Sequence, residues 1–152
     1  MGWYEYVRKY VWDDEKTPYF TGVAKLSRTQ ADKEIFAYAV LAGFLFAFLA
    51  VLTYPETAGD VVALAASAYA FTAFAAVVAL AMTKHPYAAL YGVSAPVAAY
   101  LIITEAGLNP DLHAIDRIFL LVFALLWLRY SLRVVAIARA YPSMTDPPPP
   151  VE

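Results

Sequence analysis

Residues 35–55, IFAYAVLAGFLFAFLAVLTYP, run for 21 positions without a charged side chain. At 1.5 Å per residue a helix of that length is about 31 Å long, enough to cross a hydrocarbon layer about 30 Å thick. Two further runs have the same character: residues 61–83, VVALAASAYAFTAFAAVVALAMT, and residues 86–104, PYAALYGVSAPVAAYLIIT. A fourth hydrophobic segment, residues 112–138, is punctuated by Asp116, Arg117, Arg129 and Arg133. In lipid every backbone N–H and C=O must find its partner inside the protein, so isolated apolar runs of this length are helices. Their connections are short, which favours sequential antiparallel neighbours. The expected fold is an all-α integral membrane protein, a four-transmembrane-helix up-down-up-down bundle.

Composition bounds what else the chain can hold. It is 62% hydrophobic with a mean hydropathy of +0.56, against roughly 45–50% apolar residues in soluble domains. Residues 1–26 read as an aromatic and basic arm, 27–141 as the bundle and 142–152 as a Pro-rich tail. An extramembrane catalytic domain is not expected. A net charge of −2 gives no nucleic-acid signal, and the absence of Cys removes disulfides, thiolate metal sites and thiol redox relays. The stretch Trp3–Glu15 lacks the apolar core of a secretory signal.

Within the arm, Trp3, Val7, Tyr10 and Val11 fall at helical spacing. Tyr and Trp suit the headgroup layer, so an N-terminal interfacial segment is expected, interrupted at Thr17-Pro18. Ser27 followed by Gln30 forms a capping-box pattern. The first long helix should begin there and carry Arg28, Asp32, Lys33 and Glu34 outside the bilayer. The small residues of the second span, such as Ala66, Ser67 and Ala70, suggest the bundle centre. Pro96 removes an N–H from the third span and should kink it unless a neighbour satisfies the freed carbonyl. Asn109-Pro110-Asp111 has the cap, proline and acid of a helix start. The fourth helix could then run to about Ala140, longer than the bilayer requires. Trp127 and Tyr130 would sit at its interface, with Arg129, Arg133 and Arg139 snorkelling or emerging. The turn containing Val134, Val135 and Ile137 would project as an apolar surface in need of lipid or a partner.

Basic residues set the orientation. Arg8, Lys9, Lys16, Lys25, Arg28, Lys33, Lys84, Arg133 and Arg139 fall on one side and Arg117 on the other. By the positive-inside rule both termini face the cytoplasm, the expected setting being the bacterial inner membrane.

Candidate chemistry is sparse. His85 and His113 should lie at opposite membrane faces, so one haem cannot use both, and zinc lacks enough ligands. His85 alone is a weak axial-ligand candidate for a chlorophyll-type pigment; as a polar turn residue before Pro86 it needs no ligand. Ion carriers place ionisable groups at membrane depth, whereas the first three spans offer hydroxyls such as Tyr38, Tyr69, Ser94 and Tyr100. Arg129 and Arg133, at i and i+4, form a basic stripe suited to anionic lipid or an acidic partner. Trp3, Tyr10, Val134 and Ile137 are the expected apolar contacts with partner subunits or lipid.

These residues carry no catalytic constellation, and no intrinsic cofactor is expected beyond bound lipids. The expected role is a non-catalytic accessory or structural subunit of a larger inner-membrane complex, for instance a respiratory or photosynthetic electron-transfer complex. The alternatives are a small homo-oligomeric transporter or channel and a pigment-binding membrane protein.

Overall fold

A computed structural model describes residues 21–55, 60–105 and 112–145. The arm bearing Trp3 and Tyr10, the segment Asn109-Pro110-Asp111 and residues 146–152 lie outside the described residues. Four helices carry the fold: α1 (Arg28–Leu52), α2 (Val61–Thr83), α3 (Pro86–Glu105) and α4 (Ala114–Ala140). All four are long and apolar enough to cross a membrane. Single 3-10 turns at Val23–Lys25 and Tyr141–Ser143 flank them. Each helix packs mainly on its chain neighbours, and α1 also touches α4, so the chain forms the up-down-up-down four-helix bundle expected.

Local signals set several boundaries. Ser27 caps α1 as expected: its hydroxyl accepts from the Gln30 N–H at 3.2 Å, and the Gln30 side chain accepts from the Ser27 N–H at 3.0 Å. Asp60 caps α2 by accepting from the Ala63 N–H at 3.0 Å. The α2–α3 turn is only Lys84 and His85, and Lys84 makes it by adopting a positive φ of 55°. His85 then caps α3, its Nδ1 accepting from the Tyr87 N–H at 3.4 Å. The fourth helix begins at Ala114, after the non-helical Leu112 and His113 and later than the start expected at Asn109-Pro110-Asp111; the Asp116 carboxylate accepts from the His113 N–H at 3.2 Å.

The buried positions follow a seven-residue rhythm. On α2 they are Ala66, Ala70, Ala73, Val77 and Leu80, and on α1 they include Ala31, Ile35, Tyr38, Ala42, Phe46 and Leu49. Steps of four and three, strictly alternating on α2, keep one seam facing a near-antiparallel neighbour, the geometry of left-handed bundles. The small side chains on α2 let the two backbones come close. Yet α2 is not the centre. It buries one alanine-rich stripe while Phe71, Val78 and Met82 stay exposed, whereas α1 buries more of its span than α2 does.

Burial is uneven along α4. Its buried residues are Trp127, Ser131, Val134, Val135, Ile137 and Ala138, all in the second half. From Ala114 to Leu126 no residue is buried, and only Leu120 and Ala124 are half-buried. The bundle is therefore closed where α1 begins and α4 ends, and open around the start of α4.

This pattern corrects two expectations. Val134 and Ile137 do not project: they are 1% and 0% exposed, enclosed within the chain itself. The reason is that the first turns of α1 and the Val23–Lys25 turn pack on this part of α4. Trp127 does not face outward as an interface anchor either, while Tyr130 is half-buried. Trp127 is buried, its ring 5.9 Å from Phe46, and Tyr130 lies 5.8 Å from Tyr38.

Candidate functional site

The closed end begins with an ion pair. Glu34 and Arg133, 99 positions apart in the chain, meet between α1 and α4: Arg133 Nε donates to Oε1 at 2.5 Å and Nη2 to Oε2 at 3.1 Å. The Glu34 side chain is 0% exposed. A carboxylate taken so fully out of solvent needs this two-point, charge-assisted contact to offset its desolvation. Sequence reasoning placed Glu34 outside the bilayer, because a charge flanking an apolar run ordinarily reads as solvated. The fold takes it out of solvent as a buried link between the first and last helices. Arg133 is thus committed within the chain rather than offered with Arg129 as a stripe.

Outside this pair lies a second layer. The Tyr141 hydroxyl donates to Asp32 Oδ1 at 2.9 Å, and Lys84 Nζ stands 3.4 Å from the same oxygen. Arg28 lies over the Tyr141 ring at 5.0 Å, and its backbone N–H donates to the Thr145 carbonyl at 3.3 Å. The described chain ends therefore meet at one end of the bundle, together with the α2–α3 turn.

One turn inward from Glu34, Tyr38 reaches two helices. Its hydroxyl contacts the Gly92 carbonyl at 3.2 Å and Ser131 Oγ at 3.0 Å, and Ser131 Oγ donates to the Trp127 carbonyl at 2.9 Å. Gly92 is four residues before Pro96, so its carbonyl is the one Pro96 leaves without a helical donor. Tyr38 supplies that donor. Gly92 is also what admits it: a Cβ there would stand 3.0 Å from the Tyr38 hydroxyl oxygen. With Ser131 donating to Trp127, the Tyr38 proton is left to serve Gly92, and no step of the contact demands a ligand. Among the described residues the Trp127 indole N–H, buried alongside, makes no hydrogen bond of ordinary geometry.

At mid-span α2 and α3 are joined by a reciprocal clasp. Tyr69 Oη meets Ser94 Oγ at 2.7 Å, and Tyr91 Oη meets Thr72 Oγ1 at 2.8 Å. Thr72 donates to the Tyr69 carbonyl at 2.9 Å and Ser94 to the Tyr91 carbonyl at 2.7 Å, so each Tyr donates across to the other helix. The two rings stack at 6.0 Å. The signal was present in the sequence as Tyr69-x-x-Thr72 and Tyr91-x-x-Ser94, a matched spacing on two antiparallel spans.

At the open end, an apolar groove of about 660 Å³ runs between α1 and α2, lined by residues including Ala50, Val51, Tyr54, Leu64 and Phe71. Its Ser67 hydroxyl is already donated to the Ala50 carbonyl at 3.0 Å. His85 and His113 fall at opposite ends of the bundle, His85 beside Lys84 and His113 at the start of α4. Among the described residues no three His, Asp or Glu side chains converge as a metal site would require. Arg129 is exposed on α4 and stands apart from the Glu34–Arg133 pair.

Compared with known proteins, the chain matches no family model, no curated protein and no solved structure.

Proposed function

We propose that this protein is a non-catalytic membrane subunit that assembles side by side with other membrane-embedded subunits. The observation that carries the reading is the asymmetry of α4. Its second half is built into the bundle by an ion pair and a hydroxyl network, while its first half offers Ile115, Ile118, Phe119, Val122 and Phe123 to the surroundings. Helix association in lipid depends on close packing and interhelical polar contacts rather than on expulsion from water. A helix half that makes few such contacts at home is free to make them elsewhere. Glu34 with Arg133 and Tyr38 with Ser131 form the internal ties that fasten this second half to α1.

The basic residues Lys25, Arg28, Lys33, Lys84 and Arg139 gather towards the end where the chain ends meet, which favours a cytoplasmic position for that end. A photoreactive residue placed at Phe119 or Val122, on α4, tests the proposal in native membranes, with Leu41 on exposed α1 as the comparison site. The expected result is a heteromeric crosslink of fixed stoichiometry from α4 and lipid adducts from α1. Self-crosslinks alone, accompanied by ion flux in reconstituted vesicles, would favour a homo-oligomeric channel instead.

A further inference from the structure

Arg129 belongs to an exposed stripe of α4 whose other members are apolar: Val122, Leu125, Leu126 and Leu132. Among the described residues it has no ion-pair or hydrogen-bond partner, whereas Arg133 one turn away is held by Glu34. Two contacts fix its level against the apolar run of α1. Arg133 is level with Glu34, the last charge before the apolar run of α1, and Ser131 meets Tyr38 inside that run. Arg129 lies two residues further inward than Ser131 and four further than Arg133, or about 6 Å inward of the ion pair at 1.5 Å per residue. A guanidinium at that depth is costly without a counter-charge.

The direction of the side chain narrows the choice of partner. Helical Cα–Cβ bonds tilt towards the helix N-terminus. For α4 that is the open end, so the Arg129 Cα–Cβ bond points towards the middle of the apolar run and away from the end that holds the ion pair. A lipid phosphate on the near side would have to be reached against that tilt. A carboxylate at the same depth would not, and its geometry suits the planar guanidinium fork.

We propose that Arg129 pairs with a carboxylate carried within the membrane by a transmembrane helix of a partner protein, seated along the Val122, Leu125, Leu126 and Leu132 stripe. The inference rests on the lateral-assembly reading and names the chemistry of the partner. The helix brings a buried acid that is unfavourable alone, and Arg129 gives it a reason to ionise and dock. Arg133 cannot do this because Glu34 already occupies it.

The test uses the full chain in neutral phosphatidylcholine vesicles with a synthetic Leu-rich transmembrane helix bearing one Glu about four residues inside one end of its apolar run, and a twin bearing Gln. Association is read by energy transfer from a label at residue 145. The Glu helix should bind on the order of tenfold more tightly than the Gln helix, about 1.4 kcal/mol. Arg129→Leu should equalise the two, and Arg129→Lys should keep part of the difference. Unchanged binding of the Gln helix by both variants shows that the bundle is intact. Equal binding of the two helices to the unaltered protein, or a Glu preference that survives Arg129→Leu, would overturn the proposal. So would an Arg129-dependent enrichment of phosphatidylglycerol that abolishes the Glu preference, since the partner would then be a lipid phosphate. Loss of the Glu preference with the α4 crosslinks intact removes this inference and leaves lateral assembly standing; loss of the crosslinks removes the assembly reading itself.

Discussion

The two halves of α4 are similarly apolar and differently held. From Trp127 onward the helix is fastened by Ser131 to Tyr38 and by Arg133 to Glu34, and its small and β-branched residues Val134, Val135 and Ala138 are enclosed. From Ala114 to Leu126 bulky side chains face outward and no residue is buried. In water such a half would be a liability. In lipid, exposure of Phe119 or Leu126 has no hydrophobic cost, so what separates the halves is specific contact, not hydrophobicity. The comparison shows where stability resides in this chain and where adaptability can.

The largest effect should come from the closed end. Glu34→Leu leaves Arg133 without its counter-charge and should destabilise the bundle by about 3 kcal/mol, with most of the loss recovered in the Glu34→Leu, Arg133→Leu double variant. Reversible unfolding in mixed micelles measures both; a single variant as stable as the unaltered protein would show that the ion pair ties nothing. Next comes Phe46→Ala, which empties the space among Tyr69 and Trp127 and should cost about 2 kcal/mol, less than the same change in an aqueous protein because lipid already solvates the freed side chain.

A smaller effect sharpens the role of Pro96. Tyr38→Phe should cost about 1 kcal/mol by leaving the Gly92 carbonyl without a donor. In a Pro96→Ala background the helix supplies its own donor, so the same Tyr38 change should cost appreciably less. Equal costs in the two backgrounds would mean that Tyr38 acts through Ser131 alone. The smallest change is expected from the open half, where Phe119→Ala should alter monomer stability by no more than about 0.5 kcal/mol. A loss like that of Phe46→Ala would erase the distinction between the halves.

Much of this architecture was legible in the residues. The Ser27 and Gln30 capping box, the four apolar runs and the separation of His85 from His113 depend on local chemistry or on span order, and sequence reports both well. The donor for the carbonyl freed by Pro96 was a stated requirement, but its identity was hidden, because Tyr38 and Gly92 are 54 positions apart and become neighbours only through packing. The burial of Glu34 was hidden for the same reason. It depends on Arg133, and that partner depends on α4 being long enough to return alongside the start of α1. Val134 and Ile137 looked like a projecting surface because the extra length of α4 was counted against the bilayer alone; the first turns of α1 extend equally far and cover them. Arg129 could be singled out as a charge near apolar residues, but its isolation from Arg133 required the ion pair to be seen.

Oxygen accessibility of spin labels along α4 tests the difference between its halves most directly, since the chain is free of Cys and accepts single cysteines one at a time. In purified protein in vesicles, positions 115–126 should be accessible almost all round, with shallow dips at Leu120 and Ala124. Deep minima should begin at Trp127 and recur at Ser131, Val134 and Ala138, the rhythm of a packed helix. Equally deep, regularly spaced minima continuing through 115–126 in the isolated protein would contradict the account.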